Sequence, residues 1–192
     1  VAMKFNDEAI KLFDEMARNN NYFEDNCYFS SARPVKVDPK IIIDDITSKL
    51  TLDKHHVILD VGCGTGVITI PLSFKVKTIF ALDGGFDVIE KLKENCSRQK
   101  IFNVNPINLT LNKSNFEDNF FDNILMFAVI QYMDNMIEVE NCIKELIRIC
   151  KPGGSILIAE FPEENAINSL KNKNLSDAEK SIIENFKKNR VE

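Results

Sequence analysis

Two acidic residues stand at the ends of short apolar runs, and glycines follow each of them closely. Asp60 lies in the run VILDV, and Asp83 ends the run TIFALD. The glycines are Gly62, Gly64 and Gly66 after the first acid, and Gly84 and Gly85 after the second. Glycine is required where the backbone turns through positive φ or where a ligand approaches the main chain closely. Because such apolar runs are typical of buried strands, the pattern predicts a ligand site where two strands end.

The spacing of the first glycine cluster differs from that of a dinucleotide site. The fingerprint G-x-G-x-x-G, counted from Gly62, requires its third glycine at position 67, where the chain has Val67. A carboxylate at Asp60 would also repel the diphosphate of a dinucleotide, whereas it suits a ligand with a cationic end. Both features argue against a nucleotide-dependent oxidoreductase.

The second acid suits a ribose. Asp83 ends the next predicted strand, where a carboxylate accepts both hydroxyl hydrogens of a ribose diol. One carboxylate for an ammonium group and another for a ribose together describe a nucleoside joined to an amino acid. S-adenosylmethionine has that chemistry, so the two acids predict it as the cofactor.

The spacing of apolar residues predicts strands that alternate with helices. The predicted helices cover residues 7–20, 39–50, 66–74, 86–98 and 136–150, and the predicted strands cover 57–61, 77–82, part of 104–111, 122–128 and 155–161. This alternation favours a parallel α/β sheet with helices on both faces. In such sheets ligands bind beyond the carboxyl ends of the strands, which is where both acids fall.

Four segments resemble the class I S-adenosylmethionine-dependent methyltransferases in their order and spacing. They are VILDVGCGTG (57–66), FALDGGFDVIEKLKEN (80–95), NFFDNILMFAVIQYM (119–133) and ELIRICKPGGSILIAE (145–160). The resemblance implies a Rossmann-like, doubly wound and mostly parallel α/β sheet. It also implies methyl transfer from the sulfonium of S-adenosylmethionine to a nucleophile.

The resemblance assigns cofactor contacts along the strand ends. Asp60, Gly62, Gly64 and Gly66 would surround the methionine part, Asp83 would take the ribose hydroxyls, Gly84 would lie under the adenosine, and Phe127 would line the sulfonium side. Thr110 and Leu111 stand where the family often has an acid that binds the adenine amino group. Arg33 is either a partner for the methionine carboxylate or an ordinary surface arginine.

The chemical step leaves few sequence signals. A general base is needed only if the acceptor is a hydroxyl or a protonated amine. The candidates are Tyr22, Tyr28, Tyr132, Asp134 and Glu160, so the catalytic residue stays unassigned. Residues 19–33 are aromatic, polar and irregular, which predicts a lid over the cofactor. The alternative function is a non-catalytic module of the same fold that binds the cofactor and acts with a partner protein.

The length of 192 residues fits one domain. Within it we expect a helical cap over residues 1–50, a cofactor-binding core over 55–162 and a helical segment over 163–192. The family usually continues past the fifth strand with a helix and two more strands. The resemblance therefore implies either that the chain is a piece of a longer domain whose C-terminal strands are missing, or that the final helix or another subunit of a homo-oligomer covers the edge of the sheet.

Charge and composition bear on the acceptor and the compartment. The formal net charge of −5 disfavours a phosphate-backbone partner, and the N-P-P-Y type motif that some family members use for amino-purines is absent from the segment Phe127–Ile130. We therefore expect a small-molecule acceptor rather than a nucleic acid. The chain has no apolar run long enough for a membrane span, no signal-peptide pattern and no C-x-x-C pair. These features predict a cytoplasmic protein with no metal site and no membrane partner.

Overall fold

The computed structural model describes residues 7–19, 39–133 and 135–159 of the chain. The helices are α1 (Asp7–Asn19), α2 (Pro39–Lys49), α3 (Thr69–Ser73), α4 (Phe86–Arg98) and α5 (Met136–Ile149). The strands are β1 (Val57–Val61), β2 (Thr78–Asp83), β3 (Val104–Asn108), β4 (Phe121–Phe127) and β5 (Cys150–Ala159). Short 3-10 turns at Leu111–Lys113 and Ile130–Tyr132 follow β3 and β4.

The five strands form one sheet in the order β3-β2-β1-β4-β5, and every pairing is parallel. At its centre, Leu59 of β1 lies beside Phe80 of β2 and Ile124 of β4. The chain moves outward from β1 to β3 and then returns to the other side of β1 for β4 and β5. Ligands bind at such a reversal, between the carboxyl ends of the two strands where the order changes. The parallel α/β fold expected from the sequence is confirmed.

Helices cover both faces of this sheet. Ile58 packs with Ile46 of α2 and Leu92 of α4 in one apolar cluster, whereas its neighbour Leu59 packs with Leu146 of α5 in another. Successive side chains of a strand point to opposite faces, so an apolar run such as VILDV contributes to both layers at once. This two-sided burial holds the carboxyl ends of the strands in place.

The bounds of β1 and α4 agree with the sequence prediction, whereas α3 and β5 differ from it. The helix α3 is shorter than the predicted 66–74 because Gly66 has a φ of +94°, which lies outside helical backbone. The strand β5 begins earlier, since Cys150 already pairs with β4 before an excursion over residues 151–154. Gly153 in that excursion has a φ of +81°, a left-handed backbone conformation that glycine adopts readily.

The C-terminal predictions meet the limit of the described residues at Ala159. Within those residues β5 pairs with β4 alone. The helical segment predicted over residues 163–192 lies outside the described part of the chain. No helix in the described ranges is long and apolar enough to cross a membrane.

Four cysteines belong to the described residues: Cys63, Cys96, Cys142 and Cys150. All four are free thiols and are buried, and burial raises the pKa of each above its ordinary value. Such thiols pack as small apolar side chains. The described residues contain no group of His, Cys, Asp and Glu side chains arranged to hold a metal ion.

Candidate functional site

A cavity of about 200 Å³ opens at the carboxyl edge of the sheet. It is lined by residues 61–65 at the end of β1, 82–84 at the end of β2, 109–111 after β3 and 127–129 at the end of β4, with α1 as a further wall. Of the ten residues predicted to bind the cofactor, seven line this cavity, Asp60 and Gly66 do not, and Arg33 lies outside the described residues. Asp83 is the one charged side chain among the described residues of the lining.

The three glycines after β1 have different surroundings. Gly64, with a φ of +53°, has nothing within 4 Å of the place where a Cβ would be, and it lines the cavity. A Cβ on Gly62 would lie 2.2 Å from Cγ2 of Val129, and one on Gly66 would lie 2.3 Å from Cδ1 of Leu92. Gly64 therefore leaves room for a ligand, while the glycines on either side of it leave room for the protein's own side chains.

Asp83 connects the two glycine clusters. One carboxylate oxygen accepts the N–H of Gly64 at 3.1 Å, and the other accepts the N–H of Gly85 at 2.9 Å. A carboxylate offers about four lone-pair sites, so acceptor capacity remains for a ligand. Burial raises the pKa of Asp83, and the two N–H donors act in the opposite direction. The result is an acceptor group held rigidly at the cavity wall.

Asp60 lies in the core of the protein. Its side chain is 3% exposed, and its carboxylate accepts the hydroxyl hydrogen of Thr69 at 2.6 Å. Burial raises the pKa of Asp60 to about 6, although the bond from Thr69 acts against this shift. A carboxylate in this position can attract a cationic ligand by its charge, because a low-dielectric interior screens that charge weakly.

The residues after β4 form a strained turn that the sequence did not reveal. Ala128 has a φ of +59°, a left-handed conformation that is uncommon for residues other than glycine. Two bonds hold it there: its N–H donates to the Ala159 carbonyl at 2.9 Å, and its carbonyl accepts from Nε2 of Gln131 at 2.8 Å. Such strain persists where surrounding contacts impose it, and it is frequent at ligand sites. Sequence analysis missed Ala128 because no glycine marks the turn.

The segment after β3 has neutral polar groups where the family often has an acid. Oγ1 of Thr110 donates to Oδ1 of Asn112 at 2.5 Å. Nδ2 of Asn108 donates to the carbonyls of Asp83 and Gly84 at 3.1 and 3.0 Å, which ties β3 to the end of β2. Thr110 and Leu111, which stand where the family often has that acid, both line the cavity.

The helix α1 forms a cavity wall that sequence analysis did not assign to the site. Ile10 and Phe13 line the cavity, and the ring of Phe13 meets that of Tyr132 edge-on, with the centroids 5.3 Å apart. The lid predicted over residues 19–33 lies outside the described residues except for Asn19, which ends α1. Among the candidate bases Tyr132 lines the cavity, while Tyr22, Tyr28, Asp134 and Glu160 lie outside the described residues.

A family model described as "Methyltransferase domain" matches residues 58–154, which is half of the chain. The chain belongs to the class I S-adenosylmethionine-dependent methyltransferases. S-adenosylmethionine is therefore its cofactor.

Solved structures show the same fold at low sequence identity. The PH0226 protein of Pyrococcus horikoshii is 21% identical with a TM-score of 0.64, covering 82% of this chain and 70% of that one. Phosphoethanolamine N-methyltransferase 1 of Haemonchus contortus, solved with phosphoethanolamine and S-adenosylhomocysteine, is 17% identical with a TM-score of 0.64, covering 78% of this chain and 31% of that one. At these identities the likeness establishes the fold.

Curated relatives include methyltransferases named for RNA. The tRNA (carboxymethyluridine(34)-5-O)-methyltransferase of Arabidopsis thaliana is 30% identical over 62% of this chain and 28% of its own length. The 23S rRNA (uracil(1939)-C(5))-methyltransferase RlmD of Aliivibrio fischeri is 31% identical over 40% of this chain and 18% of its own. The demethylmenaquinone methyltransferase of Paenarthrobacter aurescens is 25% identical over 81% of this chain and 55% of its own. The matched stretches thus span less than two thirds of each relative.

These relatives correct one prediction. The expectation of a small-molecule acceptor, with nucleic acid disfavoured, is wrong, because relatives that match part of this chain are named for rRNA and tRNA. The net charge of −5 is a sum over the whole chain and does not describe the field at one surface. The motifs at the strand ends, in turn, report on the cofactor and carry little information about the acceptor.

Proposed function

We propose that this chain transfers the methyl group of S-adenosylmethionine to an acceptor that enters the cavity at the carboxyl edge of the sheet. The observation that carries the proposal is the bond between Asp83 and Gly64, at 3.1 Å. It places the cavity's charged acceptor group next to the one glycine of the turn whose Cβ direction is open. A cofactor that joins a ribose to an amino acid needs a charged acceptor for the ribose beside an open approach to the main chain for the amino-acid part.

The described residues fit the cofactor in chemical type. Asp83 would accept the ribose hydroxyls with the lone pairs that Gly64 and Gly85 leave free. Gly64 would allow the methionine part to approach the main chain, and Asp60 would favour its ammonium group through charge alone. The apolar side chains of Leu111 and Phe127 would exclude water from the adenine and the sulfonium.

Alignment is the main task that the protein has to perform. When bound, S-adenosylmethionine supplies a methyl group attached to a positively charged sulfur, which is already an activated leaving group. The reacting groups are held in one geometry by the rigid strand ends, the hydrogen-bonded turn at Ala128 and the wall formed by Phe13 and Tyr132. The same structures keep water away. Positioning of this kind can supply roughly 7–11 kcal/mol in favourable systems. We infer that the acceptor lies against Phe13 and Tyr132, at the end of the cavity near β4.

The test separates binding from transfer. Titration calorimetry with S-adenosylhomocysteine should give a dissociation constant for the wild-type chain, with NAD as a negative control. Labelled S-adenosylmethionine is then offered with two acceptor pools, total RNA and a metabolite library that includes quinone precursors. Label transferred into either pool supports the proposal and identifies the acceptor class, whereas absence of cofactor binding would refute it.

The second candidate is a role other than methyl transfer, because the fold also serves other chemistry. The [4+2]-cyclase SpnF has the same fold with a TM-score of 0.56 at 21% identity, covering 65% of this chain and 47% of that one. Tight binding of S-adenosylhomocysteine without transfer to either pool would favour this alternative.

A further inference from the structure

A side chain from a distant part of the chain caps the amino-terminal turn of α4. Gly85 occupies the N-cap position and provides no side-chain acceptor. The carboxylate of Asp14 in α1 takes that role: Oδ2 accepts the N–H of Phe86 at 3.1 Å, and Oδ1 accepts those of Asp87 and Val88 at 2.9 and 3.2 Å. The first N–H groups of a helix have no partner inside the helix and carry the positive end of its dipole, so a carboxylate is favoured there.

Asp83 shares this row of donors with Asp14. Its Oδ1 accepts the N–H of Gly85, the residue immediately before those that Asp14 holds. Four consecutive N–H groups, those of residues 85–88, are thus divided between two carboxylates. A third carboxylate nearby, that of Asp87, is engaged by Arg18 at 2.5 Å.

This division affects what Asp83 can offer to a ligand. While Asp14 holds the three N–H groups of α4, the remaining lone pairs of Asp83 stay available to the cavity. Without Asp14, three donors and the positive end of the helix would be uncompensated next to Asp83 and would draw its carboxylate toward α4. Burial raises the pKa of Asp83, and the negative charge of Asp14 acts in the same direction.

The same contact fixes the position of α1 beside the cavity. Oδ1 of Asp14 lies 2.5 Å from the place where a Cβ of Gly85 would be, and Cδ1 of Ile10 lies 2.8 Å from the corresponding place at Gly84. Ile10 is one helical turn before Asp14, on the same side of α1. A carboxylate at position 14 therefore fixes the helix whose apolar side chains complete the wall beside Asp83.

We propose that Asp14 is a positioning residue for Asp83, acting through the amino-terminal N–H groups of α4 to keep the Asp83 carboxylate directed at the ribose of the cofactor. The inference rests on the proposed function, because it assumes that Asp83 binds the ribose. Asp14 itself does not touch the cofactor in this scheme.

The experiment uses the full chain and two ligands, S-adenosylhomocysteine and its 2′-deoxy analogue, with calorimetric titration of each. The wild type should prefer the ligand with both hydroxyls. Asp14→Ala should weaken S-adenosylhomocysteine binding about tenfold. It should also reduce the preference for the intact ribose, because a displaced Asp83 no longer accepts hydrogen bonds from both hydroxyls. If Asp14→Ala does not fold, Asp14→Asn keeps the size and one acceptor oxygen and should show the same changes in smaller degree.

Asn135→Ala is the matched control. Oδ1 of Asn135 accepts the N–H of Glu138 at the start of α5, so this variant also removes a helix cap, at a site outside the cavity lining. It should lower the melting temperature without changing either dissociation constant. If Asp14→Ala weakens both ligands by the same factor, or neither, Asp14 is only a helix cap and the proposal is overturned. If the wild type binds neither ligand, the proposed function fails first.

Discussion

The cluster of Asp60 with Gly62–Gly66 and the cluster of Asp83 with Gly84–Gly85 are built from the same two residue types, yet the structure uses them differently. In the first, the acid is buried in the core, and one glycine, Gly64, has open space where a Cβ would be. In the second, the acid lines the cavity, while the glycines make room for α1. An acid or a glycine at a strand end therefore indicates a site without showing whether it faces the ligand or the protein.

The largest expected effect comes from Asp83→Ala, which removes the acid that faces the cavity. Charged hydrogen bonds contribute about 1.5–3 kcal/mol each, and two to a ribose diol imply a loss of affinity of about a hundredfold or more. Calorimetric titration with S-adenosylhomocysteine measures the loss, and circular dichroism checks that the variant is folded. Near-wild-type affinity would remove Asp83 from the ribose site.

Asp60, the buried acid, should lower the stability of the folded protein at neutral pH. Because the pKa of Asp60 in the folded protein is about 6, above the ordinary 3.8 of an aspartate, the folded state holds this proton more tightly than the unfolded state does. Its contribution to stability is therefore present at low pH and is lost as the pH rises from about 4 to about 6. Asp60→Asn should remove this penalty and raise the free energy of unfolding at pH 7 by about 3 kcal/mol.

Denaturant unfolding at pH 7 and pH 4 checks the prediction for Asp60→Asn. The gain in the free energy of unfolding should disappear at pH 4, because the carboxyl of Asp60 in the folded wild type is then protonated and uncharged, like the amide of the variant. At pH 7 the same variant should bind S-adenosylhomocysteine more weakly, because the charge that favours the ammonium is gone. A variant that is no more stable than the wild type at pH 7 would contradict the burial argument.

Gly64→Ala and Gly66→Ala distinguish the two kinds of glycine within one turn. Both positions have positive φ, so each alanine brings backbone strain of about 1–2 kcal/mol. Gly66→Ala also drives a methyl group into Leu92, and overpacking costs a further 1–3 kcal/mol or so. We expect Gly66→Ala to lower the melting temperature more and Gly64→Ala to weaken cofactor binding more. The reverse ranking would show that the turn faces the cavity through a different residue.

The smallest effect concerns the contact between α1 and the second cluster. Gly85 has an ordinary φ of −81°, so Gly85→Ala is opposed mainly by its close approach to Asp14 and Val88. Gly85→Ala should therefore destabilise the wild type by about 1 kcal/mol more than it destabilises Asp14→Ala, a coupling of ordinary size for residues in contact. A double-mutant cycle from denaturant melts measures this difference. Strict additivity of the two changes would show that Asp14 is not what excludes a side chain at position 85.

The strand and helix order could be predicted because the signals are local. The run VILDV and the amphipathic segment 86–98 gave the observed bounds of β1 and α4. A strand that is buried on both faces requires a continuous apolar run, and a half-buried helix requires apolar residues three or four positions apart. The carboxyl-edge location followed from strand polarity. Seven of the residues that the resemblance assigns to the cofactor line the cavity at that edge.

Other features depend on contacts between residues far apart in the chain. These include the contact of Ile10 with Gly84, the cap that Asp14 places on α4 and the fit of Val129 against Gly62, and each joins segments more than sixty positions apart. Periodicity shows that α1 has an apolar face but cannot show which surface that face covers. Ala128 carried no sequence signal at all, because its left-handed backbone is imposed by bonds to Gln131 and Ala159.

The sequence by itself therefore determined the fold, the edge of the sheet that carries the site and the chemical class of the cofactor. These depend on residue type and on spacing along one strand, turn or helix. Only the tertiary structure decided which acid faces the cavity, which glycine opens toward a ligand and which helix closes the wall. The physical reason is that burial and hydrogen-bond partners are properties of neighbours in space, and residues such as Asp14 and Asp83 become neighbours only when the chain has folded.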